Sequence, residues 1–150
     1  MSVEIMKRCQ WVSGDVHTKY HDTEWGVPLH NDRKLFEFLT LDGMQSGLSW
    51  RIVLNKRPFF QKAFEKFDAK KISKFTDDDV DRLMNDKGII RNRRKIESVI
   101  NNAQKFLDTK KEFGSFDSTT WQIPRSNRLV FCRFSLFCCF FHVITLGKQT

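Results

Sequence analysis

The chain has 150 residues, enough for one domain with a real hydrophobic core and too few for two of ordinary size. Hydrophobic residues make up 40% and charged residues 29%, which excludes a disordered or low-complexity chain. Lys and Arg outnumber Asp and Glu by 26 to 18, a net charge of +8. An anionic partner is therefore expected, nucleic acid first and an acidic membrane second.

Four cysteines, at 9, 132, 138 and 139, are too sparse and one-sided for a disulfide framework. Residues 1–10 are polar and lack the apolar stretch of a signal peptide, so the expected location is cytoplasmic.

Residues 9–31 hold Cys9, Trp11, His17, Tyr20, His21, Trp25 and His30 with few helix-periodic apolar positions, and they read as a loop with short turns. Leu35, Phe36, Phe38, Leu39 and Leu41 then predict a buried helix, capped by Asn31 or Asp32 and ended by Gly43. Asp42 would be its last or next-to-last residue, with a carboxylate facing the negative end of the helix dipole. Ser49 can cap a second helix, from Trp50 to about residue 55. A carboxylate and a flat indole would thus stand at two helix ends across a short turn. That pattern is either a functional pair or a solvated Asp-Gly turn beside a core tryptophan.

Pro58 suits a first helical residue, and Phe60, Ala63, Phe64 and Phe67 follow at helical spacing, predicting a helix over 59–67 with a phenylalanine face. Asp68 caps a short helix carrying Ile72 and Phe75. Thr76 and Asp79 form a capping box for a helix with Val80, Leu83 and Met84 inside. Gly88 stops that helix, Ile89 and Ile90 make an apolar turn, and a long helix resumes from Asn92 with Ile96, Val99, Ile100, Ala103, Phe106 and Leu107 on one face. Everything to about residue 121 is expected to be α-helical.

After Pro124 the pattern changes. Residues 129–146 are apolar almost all round, contain no acid, and include Arg133 and His142. They are a marginal transmembrane candidate or, as preferred here, a tail foreign to the fold, such as the product of a reading-frame disruption. The expected organisation is one domain over 1–124 and an atypical tail over 125–150.

Between 87 and 95 stand five cations (Lys87, Arg91, Arg93, Arg94 and Lys95) and no acid. A glycine-centred turn between two amphipathic helices can offer outward amides to a phosphate, and the cations add a salt-sensitive attraction. This is the layout of a helix-hairpin-helix, which holds the DNA backbone without reading bases. A solvated basic helix end is the plainer alternative.

Taken together, the motifs resemble the DNA-3-methyladenine glycosylases of type I. The matching stretches are Cys9-Gln10-Trp11, Tyr20-His21-Asp22-Thr23-Glu24-Trp25-Gly26-Val27-Pro28, Lys34-Leu35-Phe36-Glu37, Gly43-Met44-Gln45-Ser46-Gly47-Leu48-Ser49-Trp50, and Gly88-Ile89-Ile90-Arg91 before Lys95-Ile96. The resemblance spans residues 6–121. It implies an all-α, helix-hairpin-helix glycosylase fold, incomplete at its C-terminal end. It also implies an enzyme that flips a damaged nucleotide out of double-stranded DNA and hydrolyses its N-glycosidic bond. Tyr20 and Trp50 would sandwich the base, with Trp11 and Trp25 nearby. Asp42 would contact the base edge, where the family commonly has the longer glutamate. Gly88, Ile90, Arg91 and Arg93 would hold the DNA.

The family also carries a structural zinc, of whose four ligands Cys9 and His21 are matched here. The expected C-terminal His-x-x-x-Cys pair is lacking, and Cys138 and His142 have that separation in reverse order. Two ligands do not close a tetrahedral site. No catalytic cofactor and no protein partner is implied, and a monomer is expected. The rival expectations are a catalytically impaired DNA-binding remnant of such an enzyme and a membrane-tethered fragment.

Overall fold

Residues 8–121 are the part of the chain that the computed structural model describes, and within them every regular element is helical. The first is α1, Gly14–Thr23, in the segment expected to be a loop. Its buried residues are His17 and Tyr20, one helical turn apart. The helix faces the protein with an imidazole and a phenol rather than with aliphatic side chains, so a count of apolar periodicity passes over it.

The second helix, α2, covers Asp32–Gln45 and is capped by Asn31, whose Oδ1 accepts from the Lys34 N–H at 3.1 Å. Gly43 lies inside this helix and does not end it. A helical glycine costs about 1 kcal/mol relative to alanine. The wholly buried Met44 just beyond it offsets that cost by holding the last turn in the core. The chain turns instead at Gly47, with φ +76°, and Asp42 sits within the last turn of α2.

Helix α3 runs without a break over Trp50–Ala63 and contains Pro58, where the sequence suggests two helices. A mid-helix proline removes one backbone hydrogen bond and costs roughly 3 kcal/mol. Val53, Leu54, Phe60 and Ala63 are buried on both sides of it, and their burial keeps the helix whole. A left-handed turn follows at Glu65, Lys66 and Phe67, with φ of 49°, 54° and 58°. Three such non-glycine residues in succession are strained. The turn drops Phe67 into the core against Phe64, ring centroids 6.5 Å apart.

The rest follows the sequence pattern closely. Asp68 caps α4, Ala69–Ile72, by accepting from the Lys70 N–H. Thr76 and Asp79 form the capping box of α5, Asp77–Asn85. Asn92 caps the long α6, Arg93–Phe113, and α7 is Phe116–Trp121. The core gathers Phe36, Leu41 and Met44 of α2 with Val53 and Phe60 of α3, Leu83 of α5, and Ile96, Val99 and Phe106 of α6. Phe36, Phe60, Phe64 and Phe67 are shut off from solvent, each contributing roughly 1.5–3 kcal/mol by burial.

No helix among the described residues is long and apolar enough to cross a membrane. The apolar run 129–146 and the expected boundary at residue 124 lie outside the described residues.

Candidate functional site

Helices α1, α2 and α3 meet where their aromatic residues converge. Tyr20 of α1 is 7% exposed and stands edge-on to Trp50, the first residue of α3, at 5.5 Å between ring centroids. Trp25 lies 6.2 Å from Tyr20, and Trp11 packs edge-on against Trp25 at 5.2 Å. Phe38 of α2 closes the group at 6.3 Å from Tyr20. All four residues expected to bind a base are thus neighbours.

Tyr20 and Trp50 are not a parallel pair with a gap between them. Their planes make 64°, and they touch. A flat base held between two rings needs them parallel and separated by two van der Waals distances of about 3.5 Å each. A sandwich by these two side chains therefore requires one ring to turn.

Asp42 reaches this cluster from the last turn of α2. Its Oδ1 is buried and has no hydrogen-bond partner among the described residues. Burial alone pushes its carboxyl up to about 8, so the acid is largely neutral near pH 7. The Tyr20 phenol is also held well above its usual range, mainly by burial and then by the charges of Asp42 and Glu24. A half-buried carboxyl whose buried Oδ1 lacks a donor among the described residues, close to Tyr20 and its aromatic cluster, is an environment that a flat cation would complete.

Two participants carry no recognisable sequence signal. His17 is only 8% exposed, stands edge-on to Trp11 at 5.7 Å, and has no partner for either ring nitrogen among the described residues. A lone histidine in a segment read as loop gave no reason to place it there. Arg57 of α3 is the other. Its guanidinium donates to Glu37 at 2.8 Å and to Glu24 at 2.8 Å, and it covers the Phe38 ring at 5.2 Å. Gln61 and Lys34 complete the satisfaction of Glu37 at 3.0 and 3.1 Å. This network ties the segment carrying Trp25 to α2 and α3, and only tertiary packing brings its members together.

Among the described residues, Cys9 and His21 are given no third metal ligand. Cys9 is exposed, and the His21 Nδ1 is engaged at 3.0 Å with Asp22, itself paired with Arg8 at 2.7 Å. Hydrogen bonds from Arg8 and then His21 hold the Asp22 carboxyl down to about 2. Among the described residues, no group of three or more His, Cys, Asp or Glu side chains could hold a metal ion. Cys138 and His142 lie outside the described residues.

The hairpin between α5 and α6 differs from the expected amide arrangement. The Gly88 N–H is turned inward and donates to the Asp86 Oδ1 at 2.7 Å. A Cβ at Gly88 would come within 3.0 Å of the Phe59 and Asp86 side chains, so a larger residue there would have to displace them slightly. The Asn92 N–H donates to the Ile90 carbonyl at 3.0 Å, whereas the amides of Ile90 and Arg91 find no acceptor among the described residues. Of the five cations, Lys87, Arg91 and Arg94 have no acidic partner among the described residues. Arg93 is paired with Asp81 and lies 3.8 Å from Glu97. Lys95 points away from the hairpin surface, to backbone carbonyls of α2.

The all-α fold of the described residues is shared with solved DNA glycosylases. A crystal structure of 3-methyladenine DNA glycosylase I superposes with a TM-score of 0.74 at 45% identity, over 77% of this chain and 64% of that one. The 3-methyladenine DNA glycosylase I of Staphylococcus aureus, solved to explain its recognition of 3-methyladenine, gives 0.71 at 37% identity, over 72% of this chain and 57% of that one. The DNA-3-methyladenine glycosylase 1 of Escherichia coli (strain K12) is 44% identical over 117 residues, 77% of this chain and 63% of that protein. The DNA-3-methyladenine glycosylase of Haemophilus influenzae is 41% identical over 124 residues, 82% of this chain and 67% of that protein. The methyladenine glycosylase family model matches residues 11–131, and the chain belongs to that family. It spans 63% to 67% of the length of these two curated relatives.

Proposed function

We propose that this chain holds double-stranded DNA at the hairpin, takes an alkylated nucleotide out of the stack, and excises 3-methyladenine by hydrolysing its N-glycosidic bond. The observation that carries this reading is the buried, unpartnered Oδ1 of Asp42 close to Tyr20, which itself packs against Trp50. An adenine methylated at N3 within DNA is a cation, already disposed to leave. A pocket serves it by stacking and by opposite charge rather than by donating a proton. A cation entering the site favours the ionised form of Asp42, so binding releases the proton that burial retains in the free protein.

The bond between the sugar C1′ and the base nitrogen then breaks with its electron pair going to the base, whose positive charge it neutralises. Water adds to C1′ and gives up a proton. Asp42 orients the base and balances charge, while Tyr20, Trp50, Trp11 and Trp25 supply the aromatic walls. The unpartnered amides of Ile90 and Arg91, with Lys87, Arg91 and Arg94, suit a phosphate at the hairpin. The names of the relatives, DNA-3-methyladenine glycosylases, support the same substrate.

The test is to incubate the protein with duplex DNA treated with a methylating agent and to measure free 3-methyladenine. Release well above spontaneous depurination is expected. Duplex binding without release would make the chain a DNA-binding module and not an enzyme.

A further inference from the structure

Two half-buried lysines join the hairpin to the helices that carry the candidate pocket. Lys56 belongs to α3, whose first residue is Trp50, and its ammonium donates to the carbonyl oxygens of Gly88 at 2.8 Å and Lys87 at 3.3 Å. Lys95 lies in the first turn of α6, just after the hairpin, and donates to the carbonyls of Met44 at 2.8 Å and Ser46 at 2.6 Å. Met44 is two residues beyond Asp42, and Ser46 is the residue that ends α2. We propose that Lys56 and Lys95 form a brace between the hairpin and the pocket, so that gripping the DNA backbone fixes the walls around Asp42 and Trp50.

The last carbonyls of a helix have no partner within it. At the end of α2 the Lys95 ammonium supplies one, and its charge suits the negative end of the helix dipole. The two links run in opposite senses. A pocket helix reaches to the hairpin carbonyls, and the hairpin helix reaches back to a pocket helix. An ammonium has three N–H donors, and in each lysine two contacts are already to carbonyls, which turns both side chains away from a phosphate. Lys95 is therefore a positioning residue and not one of the phosphate-binding cations that the sequence pattern suggests. The inference rests on the glycosylase reading, because it takes the hairpin as the DNA contact and the Asp42 region as the base pocket.

The experiment uses the whole chain and compares wild type, Lys95→Met, Lys56→Met and Lys95→Arg with an undamaged duplex. Backbone hydrogen exchange over residues 42–50 is followed with and without that DNA, alongside duplex affinity as a function of salt. In wild type the duplex slows exchange over 42–50. In either Met variant the duplex still binds within about 3-fold, with an unchanged salt slope, but protection of 42–50 is lost. Lys95→Arg restores protection, since a guanidinium can donate to both carbonyls. Single-turnover release of 3-methyladenine falls roughly 10- to 100-fold in the Met variants, as expected when a pocket is misplaced relative to the strand it serves.

Wild type that binds the duplex with no change over 42–50 overturns the brace alone. So does a Lys95→Met salt slope that falls by about one, the mark of a lost phosphate contact. Wild type that binds no duplex overturns the glycosylase reading and the brace together. Should one Met variant fail to fold, the other decides, because each cuts a different link.

Discussion

At the scale of single residues, Asp42 carries the most consequence. Its carboxyl titrates near 8 in the folded protein because it is buried without a donor, against an unfolded value of about 4. An acid whose folded pKa is raised stabilises the fold fully only below its unfolded pKa. That contribution is lost as pH rises towards the folded pKa, by at most about 1.4 kcal/mol per pH unit. Between about pH 4 and about pH 8 the wild type should therefore lose stability relative to Asp42→Asn, measured by urea unfolding at several pH values. Parallel stability curves for the two proteins would show that Asp42 does not titrate in this window. The motif and its carboxylate were legible in the sequence, but the buried Oδ1 was not. Its burial depends on Gly43 staying helical, which local propensity argues against.

The hairpin shows what can be read at the scale of elements. Its helices, the capping residues Thr76 and Asn92, and the glycine between them all follow from local chemistry, and they stand where the sequence puts them. Which cations remain available is a tertiary matter. Asp81 of α5 pairs with Arg93, and the carbonyls of α2 take Lys95. Arg91→Ala should accordingly weaken duplex binding and lower the salt slope by about one, while Arg93→Ala changes that slope less, as read from affinity at a series of salt concentrations. Equal slopes for the two variants would mean that the ion pair with Asp81 opens on DNA. Helix α1 was illegible for a related reason. Its inward face is an imidazole and a phenol, so the usual apolar signal is absent although the helix forms.

For the molecule as a whole, the site depends on three elements being locked together, and Arg57 is the point where they join. It is half-buried against Glu37, which is 4% exposed, and also binds Glu24, next to Trp25 in the chain. Arg57→Ala takes the guanidinium from the buried Glu37 carboxylate, which keeps Lys34 and Gln61, and should cost roughly 1.5–3 kcal/mol, seen as a lowered midpoint of thermal or urea unfolding. A change below about 1 kcal/mol would mean that Glu37 finds water or neutralises without disturbing the fold. No periodicity or motif names this network. Its members are 13 and 20 residues apart along the chain, and only the packing of α2 on α3 makes them neighbours.

The proposed function turns on Asp42, whose unpartnered Oδ1 would face a cationic base beside the aromatic cluster. The most direct measurement is the rate at which wild type and Asp42→Asn release 3-methyladenine from the same methylated duplex. Asp42→Asn keeps the size of the side chain and removes its charge. Wild type should release the base, and Asp42→Asn should be slower by roughly 100-fold or more, the usual loss when a charge-stabilising group is removed from a dry site. Equal rates in the two proteins would contradict the role assigned to Asp42.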